Sequence, residues 1–193
     1  MTAARAEDDR LLVARFLDGD RRAFDELMGA HEDRVFSICL RVMRNREAAL
    51  DALQETFITV FRKAHMYNGE SAFSTWLYRV AMNTCYDELR KKKRRAADSL
   101  PEYHDPSDPT SQDPFTSAEL RPELHAALGQ LSPEFAAAVI LSDIEGLSIA
   151  EAAEVLDVAE GTVKSRVFRG RRMLADILGN QTSFYERHKD DHA

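Results

Sequence analysis

The chain has 193 residues, enough for one domain or two small ones, and its 44% of hydrophobic residues can fill an ordinary core. No run of about eighteen apolar residues occurs, and the charged start MTAARAEDDRLL lacks the apolar stretch of a secretion signal, so neither membrane insertion nor export is indicated. The formal net charge of −7 argues against a nucleic-acid partner only until its distribution is read: residues 96–120 hold six acids and no Lys or Arg, while basic side chains crowd into residues 90–95 and 164–172. Charges act on DNA over roughly 8–10 Å, so segregation matters more than the sum.

In chain order, Asp8 or Asp9 is expected to cap a short helix with Leu11, Leu12 and Phe16 inward, ended by Gly19. A second helix spans about residues 21–44, with Phe24, Leu27, Met28, Val35, Ile38, Cys39 and Val42 on its apolar side. Asn45 is placed to cap a third, whose stripe is Leu50, Leu53, Phe57, Val60 or Phe61, and Ala64; its other side shows Asp51, Gln54 and Glu55. The loop 65–73 contains the turn signal Asn68-Gly69. Ser74 is the expected cap of a fourth helix, with Phe73 and Tyr78 as a hydrophobic staple and Trp76, Leu77, Val80 and Ala81 inward. Arg79, Asn83, Tyr86 or Asp87, and Arg90 share another face of it. The helix ends in the basic run Arg90, Lys91, Lys92, Lys93, Arg94, Arg95, which suits a helix C-terminus as well as it suits DNA.

Residues 96–120 carry four of the six prolines and read as an extended acidic linker between two helical domains. Pro122 opens the next helix, with Leu124, Leu128 and Leu131 inward; Ser132-Pro133 starts another with Phe135, Val139, Ile140 and Ile144, stopped by Gly146. Ser148-Ile149-Ala150-Glu151 fits a capping box before a short helix burying Ile149, Ala152, Ala153 and Leu156. After the turn Asp157-Val158-Ala159 comes GTVKSRVFRGRRML, residues 161–174. Its Val163, Val167, Gly170 and Leu174 recur at helical steps, and Lys164, Arg166, Arg169, Arg171 and Arg172 cover the remainder. Two short helices joined by a tight turn, the second one basic, fit the helix-turn-helix plan, whose second helix enters the major groove. A packed helical hairpin with a solvated basic face is the competing reading. After Leu178 come Gly179 and a polar tail. Cys39 and Cys85 stand alone in helical patterns and read as reduced core thiols; no metal cluster, paired catalytic carboxylates, nucleophile–base set or phosphate-binding glycine loop indicates a cofactor or an enzyme.

ALDALQETF (residues 49–57), FSTWLYRVAMNTCYDELRKKKRR (residues 73–95), the acidic linker and LSDIEGLSIAEAAEVLDVAEGTVKSRVFRGRRML (residues 141–174) together resemble the bacterial RNA polymerase sigma factors of the extracytoplasmic-function (ECF) class. The resemblance implies an all-α protein of two small helical domains, residues 1–95 and 121–178, joined by the linker 96–120, with a tail over 179–193. It implies a cytoplasmic, dissociable specificity subunit that binds core RNA polymerase (clamp and flap) and promoter DNA, controlled by a separate anti-sigma factor. Asp51, Gln54 and Glu55 match the clamp-binding helix. The loop with His65, Tyr67 and Asn68, and Arg79, Asn83, Tyr86 and Arg90 beside it, match the minus-ten segment. Thr162, Lys164, Ser165, Arg166 and Arg169 are the minus-thirty-five groove residues, Arg166 first among them, since a guanidinium pairs bidentately with guanine; Arg171 and Arg172 are phosphate contacts or solvated. Trp76 is read as core, and Asp87 as a contact or a structural group.

Three positions depart from the family pattern: Asp157 where Gly is usual, Phe135 where a charge is frequent, and Met82 where a polar residue is common. The alternative function is a sigma-like decoy that sequesters an anti-sigma factor without binding promoters; the retained basic residues and Asn83 argue against it. A lone helix-turn-helix regulator would leave the first domain unexplained.

Overall fold

The computed structural model describes residues 3–98 and 122–189, and among these it holds eight α-helices and no strand. Four make the N-terminal unit: α1 (Ala3–Leu17), α2 (Arg21–Met43), α3 (Arg46–Lys63) and α4 (Phe73–Asp98). The Asp20 side chain accepts from the Arg22 N–H at 3.0 Å to start α2. Arg44, at φ 57°, ends it in the left-handed conformation, and Asn45 begins α3 by accepting the Ala48 N–H at 2.9 Å. The core between α2, α3 and α4 is filled by Leu27, Val35, Ile38, Val60, Phe73, Leu77, Tyr78 and Met82.

The N-terminal unit differs from the sequence expectation at several residues. Asp8 and Asp9 lie inside α1 and do not cap it; Asp9 is buried and its carboxylate meets His31 Nε2 at 3.0 Å, a satisfied buried polar pair. Leu11 and Leu50, expected inward, are 57% and 45% exposed, while Val13 takes the buried place in α1. The fourth helix begins at Phe73, so Ser74 sits within its first turn and is not its cap. Cys39 and Cys85 are neighbours: the hydrogen bond between them, with burial, raises the Cys85 thiol pKa well above its ordinary value, which makes it a poor nucleophile.

The C-terminal unit contains α5 (Pro122–Gln130), α6 (Pro133–Val139), α7 (Ile149–Leu156) and α8 (Glu160–Lys189). Pro133 starts α6 as expected, but the Ser132 side chain makes no capping bond. Beyond Val139 the chain winds on as a wider π turn, Ile140–Ile144, before Gly146 turns it at φ +68°. α8 continues through Gly179 to Lys189, so the expected change to a polar tail at Gly179 does not end the helix. The acidic linker lies, from residue 99 on, outside the described residues.

The two units pack together, α7 lying against α4, and their apolar side chains form one continuous cluster. Polar bonds seal the edge. Glu145, with its side chain 6% exposed, receives Arg34 Nε on Oε2 at 3.0 Å and Arg41 Nη1 on Oε1. Arg44 donates to the carbonyls at the end of α5: Gly129, Leu128 at 3.1 Å and Leu131 at 3.4 Å.

Candidate nucleic-acid interface

The helix-turn-helix is set by short-range chemistry. Ser148 Oγ accepts the Glu151 N–H at 3.2 Å, and Glu151 Oε2 accepts the Ser148 N–H at 2.8 Å, closing the capping box at the start of α7. The Ser148 hydroxyl also donates to that carboxylate, and this bond is the main reason the Glu151 pKa lies below its ordinary value. Asp157 takes the left-handed conformation (φ 52°, ψ 49°) and returns the Val158 N–H to the Ala153 carbonyl at 3.1 Å. The Ala159 carbonyl then accepts the N–H groups of Thr162 and Val163, and α8 begins.

Val163, Val167, Gly170 and Leu174 are buried, as their spacing requires. That fixes which residues of α8 face out. Lys164, Ser165, Arg169 and Arg172 are exposed; Thr162 and Arg166 are half-buried. Lys164 lies 3.5 Å from Glu160, and Ser165 Oγ donates to the Thr162 carbonyl at 2.9 Å. Arg171 is engaged within the protein: its Nε donates to Asp143 Oδ2 at 2.9 Å, and this pairing raises its pKa. Arg171, expected as a phosphate contact or a solvated group, is thus paired with an acid from another element of the C-terminal unit while its side chain stays 63% exposed. Phe168, absent from the residues expected at the groove, is 70% exposed. It stands one turn from Ser165 on one side and Arg172 on the other, amid the groove residues. The periodicity of its neighbours is the signal that locates it: it falls opposite the Val163–Gly170 stripe.

On α4, Arg79, Asn83 and Arg90 are exposed and Tyr86 is half-buried. Burial pushes the Tyr86 phenol up to about 12, while Arg166 of α8 pulls it down and Glu134 pushes it up. Arg90 pairs with Asp87 at 2.8 Å and also donates to the Tyr86 carbonyl, so Asp87 is a helix-surface partner of Arg90. A cleft of about 280 Å³ opens between α3 and α4, lined among others by Glu55, Met66, Trp76, Asn83, Asp87 and Lys91. Trp76 is 8% exposed and packs on Tyr67 and Phe73, with ring centroids 5.8 Å away in each case. The loop above divides its residues. His65 is exposed in a short turn, Ala64–Met66. Asn68 Oδ1 accepts the Glu70 N–H at 3.1 Å and so shapes the turn at Gly69, whose φ is +75°. Tyr67 is half-buried and its hydroxyl donates to the Ser71 carbonyl at 2.8 Å.

Asp51, Gln54 and Glu55 lie exposed on one face of α3. Leu50 and Ile58, 45% and 38% exposed, flank them. The face is thus a mixed apolar and acidic surface.

The Sigma-70 region 2 family model matches residues 27–95 and the Sigma-70, region 4 family model matches residues 121–174. The chain is 42% identical over 171 residues to the ECF RNA polymerase sigma factor SigE of Mycolicibacterium smegmatis, covering 86% of this chain and 66% of that protein. It is 38% identical over 171 residues to the ECF RNA polymerase sigma factor SigM of Mycobacterium tuberculosis, covering 89% and 85%. In fold it is similar to the sigma factor RpoE of Bartonella quintana, solved with the anti-sigma factor NepR, at a TM-score of 0.66 and 24% identity over 81% of this chain and 96% of that one.

Proposed function

The chain belongs to the ECF RNA polymerase sigma factors, and from that membership we propose how its surfaces divide the work of promoter-specific initiation. Residues 1–95 bind core polymerase through Asp51, Gln54 and Glu55 on α3, with Leu50 and Ile58 adding apolar area. The same unit opens the minus-ten element. A displaced base enters the cleft between α3 and α4, where Asn83 offers hydrogen bonds and the exposed His65–Met66 turn forms one wall; unstacking that base costs about a few kcal/mol. Arg79, Arg90 and the basic run up to Arg95 track the phosphates by counterion release. Residues 121–178 read the minus-thirty-five element, with Thr162, Lys164, Ser165, Arg166 and Arg169 in the major groove and Arg172 at its edge. Residues 96–120 tether the two.

The observation that carries this reading is the outward set on α8. One side of the helix is buried from Val163 to Leu174, and the other presents Lys164, Ser165, Arg169 and Arg172 in the order a groove-reading helix needs. The protein acts by binding, in the cytoplasm where its polymerase works, and its control falls to an anti-sigma partner. Among the described residues no helix is long and apolar enough to cross a membrane. The test is run-off transcription with purified core polymerase on genomic fragments. Promoter-specific transcripts that require this protein support the reading; core binding without transcripts from any fragment overturns it.

A further inference from the structure

We propose that Asp9 and Arg10 of α1 are positioning residues for the minus-ten loop: they hold residues 67–73 in the pose that receives the unstacked base, without themselves meeting DNA. The proposal rests on the sigma-factor reading. Val13 is buried in α1, and Asp9 stands one turn before it on the same side. An acid on the apolar side of a helix needs a partner. Both Asp9 oxygens lie 3.0 Å from His31 Nε2, and both side chains are 2% exposed. The imidazole packs in turn on the Phe73 ring, with centroids 5.7 Å apart. Phe73 opens α4 where the loop ends, and Tyr67 stands edge-on to it at 5.5 Å.

Arg10 makes the second attachment. One step along a helix turns the side chain by about 100°. Arg10 thereby leaves the core side of α1 and reaches the tip of the loop, where its Nη2 donates to the Gly69 carbonyl at 3.2 Å. α1 also packs against the turn Ala64–Met66 and against α4. The loop's own bonds are local: the Tyr67 hydroxyl donates to the Ser71 carbonyl, and the Glu70 N–H to Asn68 Oδ1. Such bonds fix the shape of the loop but not its stance over the cleft. α1 sets that stance, from Arg10 at the tip and from Asp9 through His31 at the end. Tyr67 and Phe73 both pack on Trp76, which lines the cleft. A loop already held in its receiving pose spares the ordering cost when the base arrives.

The test uses Arg10→Ala and Asp9→Ala in the full chain. Trp76 is the only tryptophan of the sequence, so its emission reports the loop directly. The probe is a single strand carrying the minus-ten element of a promoter found by the run-off assay, bound to the holoenzyme. Each variant is expected to shift Trp76 emission and to weaken strand binding about tenfold, as when the receiving pose falls to about one-tenth of the molecules. Binding of the minus-thirty-five duplex is expected to stay at the parent value. The slope of log strand affinity against log salt is also expected to hold, whereas a lost phosphate contact would lower it by about 0.7. Arg10 is exposed, so Arg10→Ala decides the matter if Asp9→Ala does not fold. Parent-like emission or strand affinity in a folded variant overturns the proposal. So does an equal loss on the minus-thirty-five duplex, and so does a reduced salt slope, which would make Arg10 a DNA contact. Binding of the unaltered protein to core polymerase is measured in parallel: its absence sinks the sigma-factor reading, whereas normal core binding with parent-like variants sinks the positioning role alone.

Discussion

Gly170 of α8 approaches Val139 of α6 so closely that a Cβ at position 170 would stand 2.7 Å from Val139 Cγ2, with the Phe135 carbonyl 3.4 Å away. Mid-helix glycine normally destabilises by about 1 kcal/mol relative to alanine, so its presence here reflects the contact. Gly170→Ala is expected to destabilise the C-terminal unit by about 1–3 kcal/mol, as overpacking does, and Val139→Ala in the same chain to restore part of the loss. Urea unfolding of the single and double variants measures both; a single variant as stable as the parent would show that the helices can part without penalty.

The capping box of α7 has a pH signature. The Ser148 hydroxyl holds the Glu151 carboxyl below its ordinary pKa of 4.5. A depressed folded pKa means that the contribution is complete above about pH 4.5 and is lost as pH falls through the lower folded value. Ser148→Ala is expected to cost about 1 kcal/mol at neutral pH. The gap between the two proteins should narrow as pH drops below about 4.5, which denaturation midpoints at each pH will show. A gap that stays constant into acid would exclude the Ser148–Glu151 pair as its source.

Arg166→Ala is expected to weaken minus-thirty-five binding by about 10- to 100-fold, equivalent to about 1–3 kcal/mol of base contact, and to leave core polymerase binding intact. Equal loss of both would mean that the helix has another role.

Phe168→Ala is expected to weaken the same DNA about tenfold without loss of thermal stability, since the ring is already 70% exposed. An apolar ring in the major groove recognises thymine methyl groups. Replacing thymine by uracil in the element should then reproduce the loss, and the variant should not respond to that replacement. A variant that still distinguishes the two duplexes removes Phe168 from the groove.

Lys92 and Lys93 are exposed and form no ion pair among the described residues, whereas Arg90 pairs with Asp87 and Lys91 with Glu88 at 2.6 Å. Replacing both by alanine is expected to lower the slope of log affinity against log salt by about 0.7–0.9 for each phosphate no longer neutralised. An unchanged slope would assign these residues to the helix end alone.

How far the fold and the interface can be read from the chain depends on the range of the interactions. Asn45, Ser148, Asp157 and the Val163–Leu174 stripe act within a few residues, so caps, turn and buried face are all legible in order. Leu11 and Leu50 are not, because a helical stripe is wider than one row, and only the packing of neighbouring helices decides which of its edges is covered. The cations are the least legible. Arg34 and Arg41 of α2, and Arg44 just past its end, look like ordinary surface residues, and their acceptors lie between 84 and 111 positions away in the chain. Arg171 escapes a local reading for the same reason: Asp143, its partner, precedes it by 28 positions.

The π turn at Ile140–Ile144 adds one residue to a helical path. Each residue of a helix rotates the next side chain by about 100°. The insertion therefore sets the azimuth of the residues in the turn and just after it: Asp143 is turned to Arg171 within its own unit, and Glu145 toward α2. A chain shorter by one residue in this turn could retain its apolar packing yet swing Glu145 out of reach of both guanidiniums. A single codon there would then act as a dial on how tightly the protein folds back on itself, adjustable without touching any side chain that meets the promoter.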